Sequence, residues 1–177
     1  MKKLVPGLAL LALAVVPAAM HAQTASATVT ASATVQASLT ASTTHQLKFG
    51  TLAMGANSTL ASSGASQASL SGLTTAGLGQ IQVGHNSNVN MTATVPTVLT
   101  NSTSGQTLGF AANCATASSS GGSGTSVASC ASFSFSAAAP GTVQSTYVLV
   151  GGTVTGNAAS GVGTFTGDVD FTFTASN

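Results

Sequence analysis

The sequence predicts an all-β fold, an antiparallel sandwich of two sheets with an extended N-terminal strand. Three observations lead to this prediction. Apolar and polar residues alternate strictly at both ends of the chain, the pattern of strands with one buried and one solvated face. Turn signals rich in Gly and Asn recur between short apolar runs. After residue 22, no stretch of useful length shows the period of an amphipathic helix.

The C-terminal stretch Gly163–Ala175 predicts the strand around which the core is organised. Three of the chain's seven phenylalanines fall on one of its faces, and Thr and Asp residues fall on the other. Each aromatic ring removes a large apolar area from water, so this face needs a second sheet to cover it. The residues that we assign to the core on this basis are Phe165, Val169, Phe171 and Phe173.

The N-terminus has the layout of a secretory signal peptide. Lys2 and Lys3 precede an apolar run that ends near Val16, and the small residue Ala22 marks the expected cleavage site. We therefore expect residues 1–22 to be removed and residues 23–177 to form one domain. An uncleaved membrane anchor is the alternative, but no later segment reaches the roughly 18 apolar residues of a membrane span.

Very few charges remain after this cleavage, namely Lys48, Asp168 and Asp170. There is no basic patch for nucleic acid and no polybasic segment for a membrane surface, so we expect neither partner. A surface made of Thr, Ser, Gly and Asn has little like-charge repulsion to keep copies apart. The composition therefore suits a protein that associates with itself.

Both cysteines, Cys114 and Cys130, lie in the predicted mature chain. Secretion implies an oxidising compartment, so we predict that they form a disulfide bond. The bond would close a Ser/Gly-rich loop that has the composition of a flexible linker. A zinc site is not expected, because neither a nearby His nor a second Cys pair accompanies the two thiols.

A long alternation from Ala25 to Ala41 places Ala, Val and Leu at every odd position. Within it, the block Thr24–Val29 recurs unchanged as Thr30–Val35. Extended, this stretch would span about 55 Å, far more than a usual strand. It either bends between two sheets or projects beyond the domain. We predict that residues 24–34 form a donor strand, docked on a sheet edge, with Val29 and Val35 as its anchors.

Candidate chemistry is sparse, and we assign no catalytic, cofactor-binding or metal-binding residue. Asp168 and Asp170 share the polar face of the predicted last strand, where we expect solvation, with weak cation binding as the alternative. His45 precedes a strand and His85 lies in a predicted turn, so we expect both at the surface. No Gly-x-Ser-x-Gly elbow or phosphate-binding loop is present in the sequence.

Short motifs carry a family resemblance. Leu47-Lys-Phe-Gly-Thr-Leu52 follows an Ala/Thr/Val strand, and Gly151–Thr155 is followed by Gly163–Gly167 and an alternating terminal strand. This pattern resembles the bacterial secreted domains called DUF4402, and the spore coat protein U and fimbrial-type domains. The resemblance implies an immunoglobulin-like sandwich that is exported through the periplasm and serves in surface structures or pili.

These observations together predict a secreted, non-enzymatic structural subunit of a cell-surface fibre or pilus-like assembly. The expected partners are further copies of the same chain, or other fibre subunits, joined by β-strand addition. The alternative is a monomeric secreted adhesin or carbohydrate-binding module that uses polar loops as its site.

Overall fold

The computed structural model describes residues 32, 36–63, 76–137, 139 and 142–176. The chain divides into two units, Met1–Thr34 and Val35–Asn177. The signal peptide at 1–22, the donor strand at 24–34 apart from Ser32, and the anchors Val29 and Val35 fall outside the described residues and stay predictions. In the part of the chain that is described, no helix is long and apolar enough to cross a membrane.

The described residues form strands and one short 3-10 turn, Ala158–Ser160, without any α-helix. The all-β prediction is therefore confirmed. In chain order the strands are β1 (Leu39–His45), β2 (Lys48–Phe49), β3 (Ser58–Leu60), β4 (Ala76–Gly77), β5 (Gly79–His85), β6 (Asn88–Thr94), β7 (Val98–Thr100), β8 (Thr107–Ala117), β9 (Thr125–Ser126), β10 (Ser132–Phe135), β11 (Gln144–Thr155) and β12 (Asp170–Ser176).

The larger sheet is antiparallel and has the order β1-β5-β11-β8-β7, with β3 paired to β11 and β9 paired to β8. Along β11, β5 pairs with Gln144–Val150, and β3 then pairs with Gly152–Val154. Glycine is needed at position 151 of β11, between the segment that pairs with β5 and the segment that pairs with β3. A Cβ atom on Gly151 would overlap the carbonyl oxygen of Leu60 in β3.

The smaller sheet has the order β10-β6-β12 and covers one face of the larger sheet. Cys114 of β8 and Cys130, just before β10, form a disulfide bond with a Cα–Cα distance of 5.2 Å. This confirms the predicted bond and shows that it joins the two sheets. The core consists of Ile81, Val83, Val148 and Val150 from the larger sheet, with Phe133, Phe135, Phe171 and Phe173 packed on them from the smaller one.

The opposite face of the larger sheet is covered by the Ser/Gly-rich segment that precedes Cys130. Ala115 and Leu149 form a second buried cluster there, with Tyr147 packed against it. A Cβ atom on Gly124 would lie 2.7 Å from the Ala115 Cβ and 2.9 Å from the Leu149 Cδ1. The segment therefore lies tightly on the sheet instead of acting as a linker, and its glycine permits the close approach.

The last strand is shorter than the alternation predicts. Its ladder covers only Asp170–Ser176, so the interpretation of Gly163–Ala175 as one continuous strand is wrong for its first half. Phe171 and Phe173 lie in β12 and are half-buried on its inner face, as assigned. Phe165 and Val169 are also half-buried, but they precede the strand.

Candidate docking cleft

A cleft borders β1 and β12, which are edge strands of different sheets, and extends from there across the inner face of the larger sheet to Leu99 of β7 and Phe110 of β8. Its main cavity has a volume of about 940 Å³, and a second cavity of about 250 Å³ adjoins it. Thr43 of β1, Ile81 of β5 and Phe171 of β12 border both cavities. The two cavities are therefore parts of one groove that follows the open side of the sandwich.

The wall of the groove combines polar backbone and side chains with an uncovered apolar portion. Ile81, Val150 and Val154 are buried core residues that line the main cavity. Four of the chain's seven phenylalanines also line it, and two large apolar side chains at its border, Met54 and Val162, are 60% and 83% exposed. The four phenylalanines are Phe49, Phe110, Phe165 and Phe171. The groove thus leaves apolar surface without a cover, which is typical of a docking site.

The backbone of β12 also has a free edge. Ala93 of β6 donates its N–H to the carbonyl of Ala131, over a distance of 2.8 Å, and so directs its backbone groups toward β10. Phe171 lies opposite Ala93 in the β6–β12 ladder, and the two form a non-hydrogen-bonded pair. In such a pair, the N–H and C=O groups of each residue point away from the facing strand. The backbone groups of Phe171 therefore point to the open edge, and by alternation those of Phe173 and Ala175 do the same.

On the other wall, β1 is an edge strand with almost no buried surface. Its residues from Thr40 to His45 are exposed, and His45 lies at the surface as expected. β1 is held by its ladder with β5 and by the fully buried Gln80. The Gln80 Nε2 donates to Thr44 Oγ1 (2.9 Å) and to Ser120 Oγ (3.1 Å), and its Oε1 accepts from the Gly121 N–H (3.3 Å).

All three charged residues of the described chain, Lys48, Asp168 and Asp170, line this cavity with exposed side chains. None of them forms an ion pair with another described residue. Among the residues described, no cluster of three or more His, Cys, Asp or Glu could hold a metal ion. Charges beside an open strand edge oppose unspecific edge-to-edge pairing, and this is the role that the positions fit.

The chain enters β1 from beyond the end of β5. Ser38 donates its N–H to Asn86 Oδ1 (2.7 Å), and its carbonyl accepts the Asn86 N–H (3.3 Å). The Asn86 Nδ2 also donates to the carbonyl of Gln36 at 3.5 Å. Asn86 lies in the turn after β5, so these bonds continue the line of β1 past the sheet instead of turning the chain back.

The expectation for His85 was wrong, because its ring is fully buried at the end of β5. The Nδ1–H donates to the carbonyl of Ser87 (2.7 Å), so the Nε2 of a neutral ring accepts from Thr146 Oγ1 (2.9 Å). The ring meets Phe135 edge-on at 5.0 Å. Sequence reasoning missed this because the buried partners, Thr146 and Phe135, are distant in the chain.

The chain matches no family model, no curated protein and no solved structure. The function proposed below is therefore based on the geometry of the cleft and on the sequence.

Proposed function

We propose that this protein is a structural subunit of an extracellular fibre, assembled when the N-terminal strand of one copy docks in the β1–β12 cleft of the next. The single observation that carries the proposal is a groove with uncovered apolar residues in its wall, bordered by a free strand edge. Addition of a strand there would bond the open backbone groups of Phe171, Phe173 and Ala175. It would also remove the exposed apolar lining from water.

The side chains of residues 24–35 complement this edge on both faces. The inner face of β12 carries half-buried Phe171 and Phe173, and the donor would place only small residues beside them. Large rings facing small side chains interdigitate without overlap. On the outer face, Thr172 and Thr174 would meet Ser and Thr, which form favourable cross-strand pairs. The inward donor residues are Ala25, Ala27, Val29, Ala31, Ala33 and Val35.

Docking in a neighbouring copy is favoured over docking in the same copy. Ser38 and Gln36 are tied to Asn86, so the described chain leads away from the cleft at this point. Residues 24–35 span about 40 Å when extended, enough to reach a second molecule. Such a head-to-tail contact does not close on itself, so it would propagate a filament.

Secretion is part of the proposal. The disulfide is compatible with an oxidising compartment, and the leader has the layout of a signal peptide. The resemblance to DUF4402 and spore coat protein U domains points in the same direction, toward a cell-surface structure of a bacterium. We propose no enzymatic activity and no cofactor, because the residues that the structure describes contain no catalytic constellation.

The test compares two charge pairs in the full mature chain. Val29→Asp with Val35→Asp places carboxylates on the inward face of the donor, whereas Thr28→Asp with Thr34→Asp places them on the outward face. We expect negative-stain electron microscopy to show filaments for the wild type and for the outward pair, and none for the inward pair. Filaments from the inward pair as well would rule out strand donation by this segment.

A monomeric adhesin or carbohydrate-binding module is the second candidate, favoured by the carboxylates and aromatic rings that line the cleft. Against it, Phe49 meets Phe110 edge-on at 5.9 Å, and Tyr147 packs on the second cluster, so neither offers a free flat face to a sugar. A wild-type chain that stays monomeric and shows shifts at Asp168 and Phe171 in an NMR titration with oligosaccharides would favour this candidate.

A further inference from the structure

The segment Gly163–Val169 has the side-chain pattern of a strand but lacks a strand's partners. Phe165 and Val169 are half-buried, while Thr164, Thr166 and Asp168 are exposed. Thr166 alone pairs, exchanging two hydrogen bonds with Thr100 at the end of β7 (2.8 and 3.0 Å). No other residue of the segment forms a backbone hydrogen bond with a described residue.

The unbonded N–H and C=O groups of this segment and of β12 belong to odd-numbered residues and lie on the same side of the chain. Since Thr166 directs its groups toward β7, extended neighbours at 165 and 167 direct theirs away from β7. In β12, the residues that point to the open edge are also odd-numbered, beginning with Phe171. Every residue from Ser160 to Phe171 lines the main cavity and Phe173 lines the second one, so this edge borders the cleft from Phe165 to Phe173.

We infer that Gly163–Val169 is the unformed half of the last strand, and that it becomes a strand when a second copy's N-terminal segment docks. The inference rests on the proposed function and deepens it by naming the whole docking edge, residues 165–175. It also accounts for the alternation through Gly163–Ala175, which the isolated chain uses only in part.

The lengths of the two partners agree. Each hexapeptide repeat of the donor, Thr24–Val29 or Thr30–Val35, matches about one β12, which covers Asp170–Ser176. Both repeats together match the edge from 165 to 175. If β12 alone were the site, the second repeat would have nothing to pair with, and its exact repetition would serve no docking purpose.

The experiment uses the full mature chain carrying Val29→Asp and Val35→Asp, so that its own donor segment does not dock. Amide hydrogen exchange is followed by NMR before and after addition of the peptide Thr24–Val35. We expect exchange to slow at least tenfold at Phe165, Gly167 and Val169 as well as in β12. Thr166, already bonded to Thr100, is the internal reference and should change little. The peptide Thr30–Val35 should bind at least tenfold more weakly.

The outcomes separate the inference from the proposed function. Slowing confined to Phe171, Phe173 and Ala175, with equal affinity for both peptides, would overturn the inference and leave strand addition intact. Absence of binding by either peptide would instead overturn the proposed function itself, and the inference with it. A peptide in which Ala and Val exchange places with the polar residues is the control, and it should not bind.

Discussion

A proline placed at a β12 residue whose N–H faces the cleft should weaken assembly while leaving the fold intact. Ala175 is such a residue, because it alternates with Ser176 and Thr174, whose backbone groups face β6. Proline removes the N–H and fills its place with the ring, which is tolerated on an edge strand only where the N–H faces outward. Ala175→Pro therefore loses no ladder hydrogen bond, and Thr174→Pro, its matched control, loses one.

The magnitudes follow from this difference. We expect Ala175→Pro to change the free energy of unfolding by less than about 1 kcal/mol. Thr174→Pro should lower it by about 1–3 kcal/mol, since the facing carbonyl of Asn90 loses its donor. In assembly, the loss of at least one intermolecular hydrogen bond at 175 corresponds to about 1 kcal/mol or more, roughly a fivefold or greater weakening of the contact.

Urea unfolding followed by circular dichroism measures the first quantity, and light scattering with electron microscopy measures the second. Ala175→Pro should fold like the wild type and assemble more weakly, by about fivefold or more. Wild-type filament formation by Ala175→Pro would show that the free edge of β12 is not the docking edge. A large loss of stability in Ala175→Pro but not in Thr174→Pro would show that the directions of the backbone groups are the reverse of those derived above.

Three further predictions concern stability and the charged border. Phe171→Ala should lower the free energy of unfolding by about 2–3 kcal/mol, measured by urea unfolding. This is less than the roughly 3–5 kcal/mol expected for a fully buried ring, because Phe171 is only half-buried. A larger loss would mean that the Phe171 ring is covered in solution. Asp168→Asn with Asp170→Asn should change the free energy of unfolding by under about 0.5 kcal/mol, because both carboxylates are exposed. The double variant should aggregate faster in light scattering, because the carboxylates lie beside an open strand edge. An unchanged aggregation rate would show that they do not protect this edge. Cys114→Ser with Cys130→Ser should cost about 3 kcal/mol, as expected for the loop that the bond closes, and free thiols in the wild-type protein under non-reducing mass spectrometry would contradict the pairing.

Local pattern alone determined much of the fold. Val89 and Met91 are buried in β6 because a strand turns alternate side chains to one face, and that rule needs no knowledge of the neighbours. The all-β class followed from periodicity, and the disulfide from the even count of cysteines in a chain whose N-terminus has the layout of a secretory signal peptide.

The length of the last strand, the burial of His85 and the position of the cleft were decided by contacts between residues that are distant in the chain. The alternation in Gly163–Ala175 is uniform, yet apart from the single bridge between Thr166 and Thr100 only Asp170–Ser176 pairs with a neighbouring strand, so half of the predicted strand has no ladder. His85 is buried because Thr146 and Phe135 happen to converge on it. The cleft itself exists only because β1 and β12 end two different sheets without bonding to each other, and no local pattern records which edges a fold leaves open.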